Sequence, residues 1–306
     1  MTDLFNIFDA TLLNSTFRFV TPILLAALGG LICERAGVFN IALEGLMLTG
    51  AFAAVIGSFY SGNAVIGVLA AGLAGAGLAS LFAFFAITLR GHMIVLGIAI
   101  NLLASGTTIF LLRTMFGVKG AFQHPDLAGL GKINLPGLAA IPVLGPLVSG
   151  HSWVIYLSWL LVLATYLFLF HHALGLRLRG VGEHPEAAAT LGINVPAMRY
   201  GAVILSGMLC GLAGAQLSLG NVTLFVENMS AGRGWIAVVA VMFGQAHPIG
   251  VFIASLLFGL ADSIGFRLQG LGLPSQFTGM VPYIVTLISL FIIEAQRQRR
   301  RRVVVA

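Results

Sequence analysis

The stretches 64–88, 91–112 and 199–220 are each apolar and long enough to cross a bilayer core as an α-helix, which takes about 20 residues. A chain that contains three of them does not fold as a soluble domain. Barrel strands would read as ~10-residue segments of alternating polarity, and no such series is present. Composition agrees: apolar residues fill 58% of 306 positions, charged ones 8%, and the mean hydropathy is +1.01. The expected fold is all-α, a polytopic transmembrane helical bundle forming a single domain over 1–306.

Charge sets the expected orientation. A net charge of +6 would suit a nucleic-acid partner, but its distribution argues against one. Arg297, Arg299, Arg300, Arg301 and Arg302 lie in a basic tail, 296–306, directly after an apolar stretch. There they meet anionic headgroups and hold the C-terminus in the cytoplasm. Counting back from that end predicts spans near 278–294, 248–265, 234–246, 199–220, 151–170, 91–112, 64–88, 37–60 and 17–33, about nine within a range of 8–10. The count puts Arg90 and the connection 171–199, with Arg177 and Arg179, on the cytoplasmic side. The stretch 113–150, with Pro125, Pro136, Pro142 and Pro146, becomes an ordered extracytoplasmic loop. Asp3 and Asp9 stand where a cleavable signal would be basic, and none is expected.

Small residues recur at helical spacing. Gly67, Ala71, Gly75 and Ala79 share one face, as do Gly207, Gly211 and Ala215, so close helix packing is expected at both. Cys33 and Cys210 lie in apolar stretches without metal-ligand spacing and read as packing residues. At an offset of 195, "AGVFNIALEGLMLTGA" (36–51) matches "AGRGWIAVVAVMFGQA" (231–246) at Ala36/Ala231, Gly37/Gly232, Ile41/Ile236, Ala42/Ala237, Met47/Met242 and Ala51/Ala246. On the span count the two run in opposite senses, the pattern of an inverted repeat with broken helices. The second copy is too short to cross as a helix, and Gln245, His247 and Pro248 follow it. A half-helix is expected, tolerable only where protein or a wet cavity surrounds its ends.

Polar groups in such segments are the candidate functional residues. A carboxylate at the bilayer centre costs about 2.5–3.5 kcal/mol on insertion scales, yet Asn40 and Glu44 stand one helical turn apart in the first copy. Either they line a path for a polar solute, or Asn40 caps a helix break and Glu44 pairs with Arg35 or another cation. Asn101 fits either role. Trp235 is an interfacial aromatic or a stacking surface for a ring-shaped solute. Asp262 and Arg267 read as a local pair or as headgroup contacts.

Enzymatic signatures are missing. "LAGLGKIN" carries a Gly-Lys pair, but Asp126 replaces the first glycine of a phosphate loop and Ile133 its Ser or Thr. No HExxH or GxSxG motif occurs. The histidines do not cluster apart from His171-His172. No cofactor or metal is expected in this chain, and any ATP chemistry belongs to another one.

The connection "GVGEHPEAAATLGINVPAMR" (180–199) reads as a short surface helix, opened by Glu183 and Pro185 and ended by Gly192. It is a stiff connector or a docking knob. Glu186-Ala187-Ala188 followed by Gly192 resembles the coupling-loop core of permease subunits of ATP-binding-cassette (ABC) importers, although the later Ile-x-Leu-Pro part is unmatched. "ERAGVFNIALEGLMLTGAF", "GEHPEAAATLGIN", "SAGRGWIAVVAVMFG" and "MVPYIVTLISL" together resemble the branched-chain amino acid, simple sugar and nucleoside permease family, most of all its nucleoside-type members. The likeness runs from about 17 to 295.

The resemblance implies a multi-pass subunit of a bacterial plasma membrane. Its partners would be a second homologous permease, an ABC ATPase subunit that binds ATP and Mg, and an extracytoplasmic solute-binding protein. Glu183, Pro185, Glu186, Ala187, Ala188, Gly192 and Asn194 would carry coupling to the ATPase, and Asn40, Glu44, Asn101 and Trp235 would flank the solute path. Simple sugars and branched-chain amino acids remain alternative solutes. A secondary transporter with Glu44 as proton carrier is a reading from a different class. An intramembrane enzyme would need a nucleophile or metal pair that the sequence does not offer.

Overall fold

The computed structural model describes residues 10–133 and 149–269, with a few isolated positions between 280 and 291. Its helices, in chain order, are α1 (Ala10–Arg35), α2 (Leu43–Ser61), α3 (Ala64–Ala83), α4 (Met93–Phe116) and α5 (Trp153–His171), then α6 (Ala173–Glu183), α7 (Pro185–Thr190), α8 (Val195–Ala215), α9 (Arg233–Phe243) and α10 (Pro248–Gln269). α3 and α8 run on through π-turns, Phe84–Thr88 and Gln216–Asn221. Seven of these helices, all but α6, α7 and α9, are long and apolar enough to cross a membrane. Most of the ninth expected span, 278–294, and the basic tail lie outside the described residues, as do Pro136, Pro142 and Pro146. The span expected at 37–60 starts instead at Leu43, because 36–42 forms an irregular turn that opens on Gly37 at φ 73°.

Burial ranks the helices. The apolar window of α1 is 83% buried and that of α8 78%, against 22% for α4 and 28% for α5. α1 and α8 are therefore the centre of the bundle, and α4 and α5 give most of their surface to the surroundings.

In hydrocarbon, helices associate through close packing of small residues, and the two rows seen in the sequence pack on each other. A Cβ at Gly75 would fall on the carbonyl of Gly207, and one at Gly211 on that of Ala71. Gly50 of α2 meets Gly211 in the same way, and Gly214 meets Met47. Backbones of α2, α3 and α8 thus touch with no side chain between them. Cys33 and Cys210 are buried free thiols in this core.

Pro22 sits inside α1 without ending it. It cannot donate to the carbonyl of Arg18 four residues earlier. That carbonyl accepts instead from Asn221 Nδ2 at 3.4 Å, and Arg18 Nη2 donates to the carbonyl of Asn221 at 2.8 Å. The Arg18–Asn221 contact marks the far end of the bundle. There Ala121–Phe122 pairs antiparallel with Phe225–Val226, and Lys132–Ile133 with His151–Ser152. The segment after α4 folds over this end, with Ser58 Oγ donating to Ala128 O and Leu130 N to Leu219 O.

The opposite end gathers the C-terminus of α1, α6, α7, the start of α8 and the turn between α9 and α10. Gly182 packs on Arg35 and Gly37, Arg199 Nε donates to Ala36 O at 3.3 Å, and Gly244 abuts Val251.

Candidate functional site

α9 has 11 residues, about 16 Å of helix, or roughly half the hydrocarbon core. Both sets of terminal backbone groups lack helical partners, and each needs one from elsewhere. Glu44 supplies the first: its Oε1 accepts from Gly232 N at 2.8 Å and its Oε2 from Gly234 N at 2.6 Å. Arg35 supplies the second, donating from Nε to Ala246 O at 2.7 Å and from Nη2 to Gln245 O at 3.3 Å. Anion at the N-terminus and cation at the C-terminus also match the helix dipole. Glu44 is thus not paired with Arg35. The two charges hold opposite ends of one helix.

Local geometry explains how α9 can begin where it does. Ala231 and Gly232 adopt φ of 49° and 83°, turning the backbone so that its amides face Glu44. A side chain at Gly234 would collide with the Glu44 backbone, so only glycine allows this approach. Gly232 corresponds in the repeat to Gly37, also at positive φ. The two copies diverge afterwards: α9 starts one residue past its glycine, α2 six residues past. α2, with 19 residues, is a full-length helix preceded by a break rather than a second short one. The copies do run in opposite senses. Phe52, about two and a half turns into α2, packs on Phe225 ahead of α9, their ring centroids 5.1 Å apart, whereas α9 leads away from Phe225 to Arg35.

Asn40 and Asn101 brace the start of α2. Asn40 Oδ1 accepts from Ala42 N at 2.9 Å, and its Nδ2 donates to Ser206 Oγ at 3.2 Å. Asn101, on α4, accepts from Gly45 N at 2.7 Å and donates to Ile41 O at 3.1 Å. Trp235 is different: 43% of it is exposed on α9. Arg233 and Asp262, both largely buried, pair at 3.1 Å, so Asp262 is bound across helices.

A cavity of about 460 Å³ opens at the α7 end between α1, the 36–42 break, α6 and α9. Arg35, Asn40, Arg179, Glu183, Met242 and Gln245 are among its lining residues.

α7 stands on the surface beside it. Pro185 takes the first helical position, Glu186 is exposed in the first turn, and Ala188 is its buried contact. Gly192, at φ 78°, closes the helix as Ile193 N donates to Ala188 O at 3.1 Å, the left-handed C-terminal turn that glycine favours. Asn194 Oδ1 then caps α8 by accepting from Ala197 N at 3.0 Å. Glu183 ends α6, and Ala187 is exposed. Sequence reasoning passed over Leu191, which is 79% exposed. An apolar residue directly before a helix-ending glycine was the signal.

Over residues 12–290 the chain matches the family described as the branched-chain amino acid transport system permease component. It belongs to that family. Among its relatives, this permease is 39% identical to the guanosine ABC transporter permease protein NupQ of Bacillus subtilis, over 90% of this chain and 89% of that one. It is 39% identical to the nucleoside ABC transporter permease protein NupC of Lactococcus lactis, over 88% of each. A second guanosine permease protein of B. subtilis, NupP, is 26% identical over 91% of this chain and 80% of its own. A solved chain described as an inward-facing ABC transporter of metal-chelate type shares the fold, with a TM-score of 0.51 at 18% identity over 90% of this chain and 85% of that one. Like these relatives, this permease is a multi-pass membrane protein and a transport component.

Proposed function

We propose that this permease is the transmembrane subunit of an ATP-driven importer of nucleosides in a bacterial plasma membrane, with its α7 end and C-terminus in the cytoplasm. One observation carries the mechanism. The C-terminal turn of α6, directly before α7, packs on the break after α1 through Gly182 and Gly37, and residues flanking that break, Arg35 and Glu44, grip both ends of α9. A push on α7 therefore reaches α9 through an unbroken series of contacts.

The ATPase subunit docks on the surface built by Glu183, Pro185, Glu186, Ala187, Ala188, Gly192 and Asn194, and binds ATP and Mg itself. ATP-driven closure of the ATPase pair shifts the permeases between two states that differ in which end of the path is open. A solute-binding protein delivers at the far end. The partner permease is a different, homologous chain, a reading supported by the higher identity to NupQ, 39%, than to NupP, 26%. Trp235 lines the path, and Asn40, Glu44 and Asn101 hold its wall in shape.

The charges at membrane depth suit a neutral solute. The Glu44 carboxylate is taken up by two amides, and Arg233 and Asp262 neutralise each other. The nucleoside-transporting names of NupQ and NupC favour that solute class.

Cells carrying the complete set of subunits are expected to accumulate labelled nucleosides in an ATP-dependent way. Changing Glu186 and Gly192 together to bulky residues is expected to abolish uptake while membrane insertion survives. Undiminished uptake in that double variant, or uptake by this chain alone under a pH gradient without ATP, would overturn the proposal.

A further inference from the structure

Ser105 lies at the midpoint of α4, a 24-residue helix long enough to span the membrane. Its hydroxyl donates to Asn228 Oδ1 at 2.7 Å, across 123 residues of sequence. Asn228 therefore sits against the middle of α4, in the turns between the Phe225–Val226 strand and α9, with φ at 56°. It is an exposed residue. Beside Ser105, a side chain at Gly106 would meet no described atom within 4 Å.

This arrangement is expensive in lipid. A primary amide facing hydrocarbon is strongly disfavoured, and irregular backbone at this depth persists only within protein or along a watery cavity. Asn40, Glu44 and Asn101 have their polar groups engaged with backbone or with Ser206. Asn228 accepts from Ser105 and is still exposed, Trp235 is exposed near the start of α9, and Gly106 leaves room beside Ser105.

We propose that Asn228 contacts the solute directly and sets its specificity, with Ser105 orienting the amide; this rests on the nucleoside-import reading above. An amide offers a donor and an acceptor side by side, which matches the hydrogen-bonding edge of an uncharged nucleobase. The indole of Trp235 supplies a face on which such a ring stacks.

The test uses the complete transporter in membrane vesicles, with labelled guanosine, adenosine and uridine as probes and glucose as contrast. The variants are Asn228→Ala, Asn228→Asp and Ser105→Ala. Loss of one neutral hydrogen bond is expected to slow saturated nucleoside uptake roughly 2- to 10-fold. Asn228→Asp, which replaces the donor with a charge, is expected to slow it further and to change the guanosine-to-uridine ratio. The mass of the assembly on native gels should stay the same.

Unchanged rates and ratios in all three variants, in vesicles whose unaltered transporter imports nucleosides, overturn this inference and leave the nucleoside reading standing. Loss of assembly in Asn228→Ala assigns the face to subunit packing and also overturns it. If the unaltered transporter imports glucose but no nucleoside, the nucleoside reading falls, and the same variants judge Asn228 on glucose uptake.

Discussion

Arg18 and Asn221 exchange two hydrogen bonds, guanidinium to carbonyl at 2.8 Å and amide to carbonyl at 3.4 Å. The second bond serves a carbonyl that Pro22 leaves without its helical donor. Asn221→Leu is therefore expected to destabilise the bundle by about 1–3 kcal/mol, since it orphans this partly buried acceptor and removes the acceptor of the buried Gln216 amide. In a Pro22→Ala background the helix supplies its own donor and the penalty should shrink. Thermal unfolding of the four proteins of that cycle in detergent measures the coupling.

Glu44 separates a brace from a proton carrier. If it holds the start of α9, Glu44→Gln keeps one acceptor and loses the charge-assisted strength of both bonds. Uptake is then expected to fall roughly tenfold for about 1.4 kcal/mol, with Glu44→Ala worse. A proton carrier predicts equal and complete loss in both variants. Uptake assays across a range of external pH distinguish the two patterns.

Gly234→Ala tests the same contact from the other side. The added methyl would strike the Glu44 backbone, pushing α9 away from its anchor. Overpacking of this kind costs about 1–3 kcal/mol. Gly211→Val, which drives a branched side chain into the Ala71 carbonyl, is expected to cost at least as much. Melting temperatures of the purified chain report both, and Gly72→Ala, where the added methyl meets open space, serves as the neutral control.

Leu191 tests the docking surface without touching the core. At 79% exposure its replacement by Asp should leave the melting temperature within the range of ordinary surface changes, about 0.5 kcal/mol. ATP-driven uptake and co-purification of the ATPase are expected to drop sharply. Wild-type levels of both would place the ATPase contact elsewhere.

Local features were legible in the sequence because they depend on nearby residues. Apolar length gave the spans, the four-residue spacing of small residues gave the α3–α8 seam, and Pro185 with Gly192 bounded α7. What could not be read was which distant group answers each polar side chain. Glu44 meets amides 188 and 190 residues away, and Asp262 meets Arg233 on a different helix, because helix crossing and not sequence spacing brings them together. The late start of α2 was hidden for a related reason: 36–42 is apolar enough to read as span, and Asn101, from another helix, fixes where the helix begins. Ser105 went unnoticed because a single hydroxyl among small residues carries no periodic signal.

The burial of α1 has a consequence for how the protein is made. This helix emerges from the ribosome before the other described helices, yet the partner of Arg18 lies 203 residues later and those of Arg35 lie 210 and 211 residues later. At about 5–20 residues per second, translation leaves both arginines waiting roughly 10–40 s. Their long side chains can reach the headgroup layers in the meantime. The most central element of the finished bundle thus begins as a provisional guest in the bilayer, and its final seat exists only once the C-terminal half has been synthesised.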